Sequence, residues 1–205
     1  NSCIKMDLFT SNPLQNILPF DGEVLNYGLI LNNKDCQFYL NTFLSADFWT
    51  QDELLMFGKR IQTTRKVAWF GDLDYQYSYS SSVKRAIPWT PELISIKNLI
   101  EKETGEVFNS CLLNLYHNGN EGMGWHQDNE KELGKNPVIA SLSLGTTRKF
   151  AFKHIQTKQK VDIVLEAGSL LIMKGKTQEN WLHSLPKTTK VTFPRVNLTF
   201  RNIYT

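Results

Sequence analysis

The order of apolar and polar positions divides the chain into two halves. In the first, Asp35–Leu44 (DCQFYLNTFL) and Phe48–Phe57 (FWTQDELLMF) carry apolar residues at mixed three- and four-residue spacing, which predicts two helices that each bury one face. A third helix is announced by Thr90-Pro91-Glu92. Thr90 caps, Pro91 suits the first turn, and Leu93, Ile94, Ile96, Leu99 and Ile100 supply a buried stripe. Gly105 then stands where a left-handed C-terminal residue is wanted. From Val107 onward the pattern changes to short strands at Phe108–Tyr116, Val138–Leu144, Lys149–Ile155, Val161–Leu165, Ser169–Met173 and Val196–Ile203, with Gly145-Thr146-Thr147 as a hairpin turn. No helix separates successive strands. The expectation is a mainly β sandwich or barrel with the early helices packed on its outside.

The 205 residues are 41% hydrophobic and 21% charged, with 12 Gly and 7 Pro, which excludes collagen-like and low-complexity classes and predicts one folded domain over 1–205. Within it, about 1–105 supplies the helical part and about 106–205 the strand-rich core. Residues 1–105 carry 10 Lys/Arg against 12 Asp/Glu, a net of −2, and residues 106–205 carry 13 against 8, a net of +5. Two runs are free of acids: Lys59, Arg60, Arg65 and Lys66, and then Arg148, Lys149, Lys153, Lys158 and Lys160. A solvated basic face and a phosphate-binding face both fit them. Cys3, Cys36 and Cys111 are odd in number and widely spaced, so neither a disulfide framework nor a thiolate zinc site is indicated. No apolar stretch approaches the ~20 residues of a membrane span and the start lacks a secretory pattern. A soluble intracellular chain is expected, cytoplasmic if bacterial and nuclear if eukaryotic, monomeric and without a membrane partner.

Candidate chemistry begins at His126-Gln127-Asp128. Residues i and i+2 of an extended segment point the same way, so His126 and Asp128 can converge on one ion, with His183 closing the triangle from another strand. Two imidazoles and one carboxylate on one face leave positions open, as in non-haem Fe(II) oxygenases. A surface pair fits an isolated H-x-D equally well, and zinc accepts the same ligands, which leaves a hydrolase open. The last strand narrows this. In Arg195-Val196-Asn197-Leu198-Thr199-Phe200-Arg201 period two puts Arg195, Asn197, Thr199 and Arg201 on one face and Val196, Leu198 and Phe200 on the other. Two guanidinium groups near a core call for anionic partners, and a dicarboxylate supplies them. Asn114 and Tyr116 share a face by the same rule and can orient one end of that acid.

Together these residues resemble the AlkB family of Fe(II)- and 2-oxoglutarate-dependent dioxygenases, over Phe57 to the C-terminus, with the R-x-N-x-T-x-R strand as the most specific motif. The resemblance implies a double-stranded β-helix (jelly roll) core with an N-terminal helical and nucleotide-recognition extension. It implies Fe(II) held by His126, Asp128 and His183 as the catalytic metal site. The cosubstrate 2-oxoglutarate would be held by Asn114, Tyr116, Arg195, Thr199 and Arg201, with Asn197 on the same face. Leu142, Leu144, Ile172 and Trp181 are expected as an apolar shell that keeps the site dry.

Within that family the chain is most similar to the subgroup that repairs alkylated duplex DNA, through Phe57-Gly58-Lys59, Arg65-Lys66, Phe70-Gly71-Asp72, Tyr77-Ser78-Tyr79 and Trp89-Thr90-Pro91. The subgroup implies Phe57 as a wedge that fills the gap left by a flipped base, Tyr77 and Tyr79 as the lining of the base pocket, and Asn129 and Glu130 as substrate contacts. Asn129 stands where the subgroup has aspartate. Phe57 also ends the second predicted helix and would there be core. The implied reaction is oxidative demethylation of 1-methyladenine- and 3-methylcytosine-type bases in duplex or single-stranded DNA, with RNA as a further substrate, coupling 2-oxoglutarate and O2 to succinate, CO2 and formaldehyde. Extrusion of a base costs a few kcal/mol, which a wedge and a stacking pocket offset. The alternatives are a same-fold oxygenase acting on RNA, protein or a small molecule, and a metal-binding module without turnover.

Overall fold

A computed structural model describes residues 14–56, 59–79 and 82–204, with side chains described outside 52–56, 59–61, 76–79 and 82–84. In chain order the elements are β1 (Glu23–Leu29), α1 (Asn33–Leu44), β2 (Thr50–Met56), β3 (Lys59–Gly71), β4 (Gln76–Tyr79), β5 (Ser82–Arg85), α2 (Pro91–Thr104), β6 (Ser110–Tyr116) and β7 (Met123–His126). A 3-10 turn (Lys131–Leu133) follows, then β8 (Ile139–Gly145), β9 (Arg148–His154), β10 (Lys160–Leu165), β11 (Ser169–Lys174), α3 (Thr177–Asn180), β12 (Trp181–Leu185) and β13 (Arg195–Arg201).

The strands form a seven-stranded major sheet in the order β1-β11-β8-β13-β6-β3-β2, a four-stranded minor sheet in the order β10-β9-β12-β7, and the separate hairpin β4-β5. From β6 to β13 the chain passes back and forth between the two large sheets, and every described pairing in them is antiparallel. This is the double-stranded β-helix, or jelly roll. One apolar core fills the space between the major sheet and the helices, where Val196, Leu198 and Phe200 meet Leu93, Ile96 and Ile100 of α2 and Phe43 of α1. A second, built from Leu171, Met173, Phe152, Leu165 and Trp181, joins the sheets to each other. The polar face of β13 is therefore turned into the interior between the sheets.

Helix signals at the termini act as their chemistry requires. Thr90 Oγ1 accepts from Leu93 N at 3.3 Å, Pro91 opens α2, and Gly105 closes it at φ 73°. Asn32 caps α1 by accepting from Asp35 N at 2.9 Å. Two expectations fail where pairing over long range decides. The described part of the segment, 48–56, is no helix: Thr50–Met56 is a strand paired with β3, from Thr50 opposite Val67 to Met56 opposite Lys59. Gly145-Thr146-Thr147 is no hairpin, because β8 pairs with β11 and β13 while β9 pairs with β10 and β12, so the turn carries the chain from one sheet to the other. Gly145 is required there: its φ is +84°, and a Cβ would stand 2.5 Å from Pro194 O. No helix among the described residues is long and apolar enough to cross a membrane.

Candidate active site

The register of the major sheet lays polar side chains in rows across its inner face. Tyr116 lies opposite Arg195, Asn114 opposite Asn197, and Leu112 opposite Thr199, while Ser143 and Ser141 of β8 continue the second and third rows. Trp69 of β3 extends the third row beside Leu112. All of these but Ser143 line a cavity of about 620 Å3 whose opposite wall carries His126, Asp128, His183 and Phe150.

His126 and His183 are brought together because β7 and β12 pair with these two residues directly opposite. Their Nε2 atoms lie 3.7 Å and 3.8 Å from Asp128 Oδ1, and one ligand atom from each residue falls within 4.8 Å of the others. His126 Nδ1 is 2.8 Å from Gly124 O, so Nδ1–H donates to that carbonyl and the Nε2 lone pair is left for a metal. Burial drives the His183 imidazole down to about 4, against the opposing pull of Asp128, which keeps the ring neutral and able to ligate. Burial alone would raise the Asp128 carboxyl, but His183, Arg201 and His126 outweigh it and hold the group below its ordinary value. Two imidazoles with an ionised carboxylate on one wall fit Fe(II).

Arg195 is buried, and its Nη2 donates to Asn197 Oδ1 at 2.7 Å and Ser143 Oγ at 2.9 Å. Its guanidinium carbon is 5.7 Å from the Tyr116 ring centroid, and its Nε has no protein acceptor. Burial, the dominant effect, lowers it to about 10, so it remains a cation at neutral pH. Asn197 is held at both ends of its amide: Oδ1 accepts from Ser141 and Arg195, and Nδ2 donates to Thr199 Oγ1 at 2.9 Å. Its amide thus orients Arg195. Arg201 also has an unpartnered Nε, and its Nη1 is 3.7 Å from Glu130 Oε1. Burial, reinforced by Asp128, pushes the Glu130 carboxyl up although Arg201 opposes the shift. Guanidinium groups with Nε donors that lack an acceptor among the described residues, on the wall of a cavity, suit a carboxylate-bearing ligand.

The other expected residues lie as follows. Asn129 and Glu130 line the same cavity. Lys59, Tyr77, Ser78 and Tyr79 have backbone in β3 and β4, but their side chains, like Phe57 and Gly58 as a whole, lie outside the described residues. The expected dry shell is corrected: Leu142, Leu144 and Ile172 face the helices, and Trp181 sits in the second core donating to Phe20 O. Met173, Phe150 and Leu185 line the cavity in their place. The basic runs are thinner than they read. Arg65 is buried beside the Tyr116 ring with Nη1 2.8 Å from Met123 Sδ. Arg148 is buried as well, and its Nη2 ties Glu121 O to Pro186 O.

Two residues with no sequence signal belong to the site. Gln178 of α3 accepts from Asp128 N at 2.9 Å, and Gln127 Nε2 donates to Gln178 O at 2.6 Å, so α3 clamps the segment that carries the carboxylate. Trp69 presents a buried indole Nε1 with no acceptor among the described residues.

Comparison with known proteins accords with this geometry. The family described as the 2OG-Fe(II) oxygenase superfamily matches residues 27–201. Human alpha-ketoglutarate-dependent dioxygenase alkB homolog 3 is 43% identical over 192 residues, which is 89% of this chain and 67% of that protein. Bovine DNA oxidative demethylase ALKBH2 is 40% identical over 156 residues, 72% of this chain and 56% of that protein. The chain thus spans about half to two thirds of the curated relatives it matches. A solved structure described as that of OsALKBH1 shares the fold, with a TM-score of 0.62 at 19% identity over 93% of this chain and 100% of that one. This chain belongs to the 2OG-Fe(II) oxygenase superfamily and, within it, to the AlkB homologues.

Proposed function

We propose that this chain oxidatively demethylates N-alkylated bases of the 1-methyladenine and 3-methylcytosine type in DNA, with 2-oxoglutarate and O2 as cosubstrates and succinate, CO2 and formaldehyde as products, acting as a monomer inside the cell. The observation that carries the reading is the cavity shared by the His126–Asp128–His183 group and by Arg195, a buried cation with no carboxylate partner among the described residues. The substrate is suggested by relatives named as DNA oxidative demethylases.

His126, Asp128 and His183 would hold Fe(II), which with bound 2-oxoglutarate supplies the O2-dependent oxidation of an N-alkyl carbon. Arg195, fixed by Asn197 and Ser143, would pair with one carboxylate of the cosubstrate, and Asn114 and Tyr116 would orient that end. Thr199 and Arg201 lie further along the same strand towards the metal ligands and would take the other end. Glu130 steadies Arg201 beside Asp128. Phe150, Met173 and Leu185 exclude water from the reacting carbon. Trp69 would offer its N–H, which has no acceptor among the described residues, to an acceptor atom of the base. Phe57, Gly58 and Lys59 would act as the wedge at the duplex, and Tyr77, Ser78 and Tyr79 would enclose the extruded base. The test is mass spectrometry of oligodeoxynucleotides carrying 1-methyladenine or 3-methylcytosine, single-stranded and duplex, with Fe(II), 2-oxoglutarate and ascorbate. Conversion to the unmodified base in at least one form is expected; decarboxylation of 2-oxoglutarate with every lesion intact would overturn the reading.

A further inference from the structure

The solvent face of the minor sheet carries a cluster, Trp125 with Lys153 and Lys160, of which only Trp125 also borders the cavity. β7 is the last strand of that sheet, and neighbouring residues on a strand point to opposite faces, so His126 turns inward and the Trp125 ring turns outward. Trp125 is 38% exposed, with Lys153 Nζ 4.4 Å and Lys160 Nζ 5.9 Å from its ring centroid. The two lysines stand directly opposite each other on β9 and β10. Like charges facing each other across antiparallel strands are destabilising, and neither lysine has a carboxylate partner among the described residues. The acid that shares their face, Asp162, is taken by Lys149. A repelling lysine pair gathered over an exposed tryptophan is the arrangement that an anion joined to a flat ring would relieve.

We propose that this face binds single-stranded polynucleotide flanking the base held in the cavity, with a neighbouring base stacked on Trp125 and backbone phosphates at Lys153 and Lys160. The inference rests on the proposed activity on nucleic acid. Charge and shape both favour this occupant: bases stack on aromatic rings whatever their sequence, and lysines follow the phosphates. Position favours it too. Trp125 lies on the edge strand β7 and borders the cavity, so a polynucleotide strand leaving the cavity meets it directly.

The experiment uses the full chain and a fluorescein-labelled single strand of ~20 nucleotides, longer than a typical stacking site, read by anisotropy across a salt series. Replacing both lysines (Lys153→Ala with Lys160→Ala) is expected to reduce the slope of log K against log salt by about 1.4, since each phosphate contact on a single strand contributes ~0.7. Trp125→Ala is expected to weaken binding by roughly fivefold or more. Exchanging both lysines for Arg restores the slope. The double Ala variant should raise KM for an alkylated 20-mer and leave turnover of an alkylated trinucleotide unchanged. An unaltered slope, equal losses on trinucleotide and 20-mer, or a loss confined to duplexes, which assigns the lysines to the complementary strand, would each overturn the proposal. A protein that demethylates no oligonucleotide but loses the slope on substitution keeps this face and removes the activity. One that demethylates normally with the slope unmoved does the reverse.

Discussion

Arg195 concentrates the chemistry of the site into one side chain, because it is a cation held away from water with its neutral partners, Asn197 and Ser143, already in place. Its remaining donors wait for a carboxylate. Arg195→Ala should raise the KM for 2-oxoglutarate by roughly 10- to 100-fold, the range expected from losing a charged hydrogen bond, with kcat much less affected. Arg195→Lys should recover only part of this, since an ammonium lacks the planar fork. Initial rates over a 2-oxoglutarate series check both, and an unchanged KM in Arg195→Ala would remove the residue from the cosubstrate site. The inner face of β13 was legible from period two alone, as was the convergence of His126 with Asp128. Trp69 was not. Its indole reaches the cavity because β3 pairs with β6 at Leu112, and nothing local to Trp69 encodes that pairing.

At the scale of elements, α3 spans only Thr177–Asn180, yet Gln178 fastens Asp128 from 50 residues away along the chain. Gln178→Ala should keep the fold and weaken metal binding by ~10–100-fold, as loss of a ligand-orienting partner does, measured by anaerobic Fe(II) or Co(II) titration of the purified chain. Unchanged affinity would leave Gln178 a packing residue. On the apolar side of β13, Leu198 is fully buried against the helices, so Leu198→Ala should cost about 2–5 kcal/mol and lower Tm by roughly 4–20 °C in a calorimetric scan. The helices α1 and α2 were readable because caps and stripes are local signals. β2 was not, since the apolar residues of 48–57 have mixed three- and four-residue spacing, and only the long partner strand Lys59–Gly71 makes Thr50–Met56 extended. The turn at Gly145 misled for the same reason, as its neighbours choose distant partners.

For the whole molecule, the buried His183 ties stability to pH. Folded His183 stays neutral down to about 4, whereas an unfolded histidine takes up its proton near 6.5, so unfolding binds a proton between these values. Stability of the metal-free protein should therefore be unaffected by this group above about pH 6.5 and fall as pH drops towards 4, by up to about 3 kcal/mol. The depressed Asp128 acts only below its ordinary value, outside that window. Denaturant midpoints across the range, with His183→Gln as the variant that should flatten the curve, check the sign. Charge also reads differently once folded: Arg65, Arg148, Arg195 and Arg201 are buried, so the positive excess available to a polynucleotide is far smaller than the count of basic residues. The central claim is that one cavity couples 2-oxoglutarate to removal of a methyl group from DNA. Its most direct test follows succinate, formaldehyde and the restored base together, on a single-stranded oligonucleotide bearing one 3-methylcytosine, in the unaltered chain and in Asp128→Ala. The account predicts formaldehyde and restored cytosine in equal amounts, with at least as much succinate, and none of the three from the variant. Succinate that forms without restored cytosine, or repair that persists in Asp128→Ala, would contradict it.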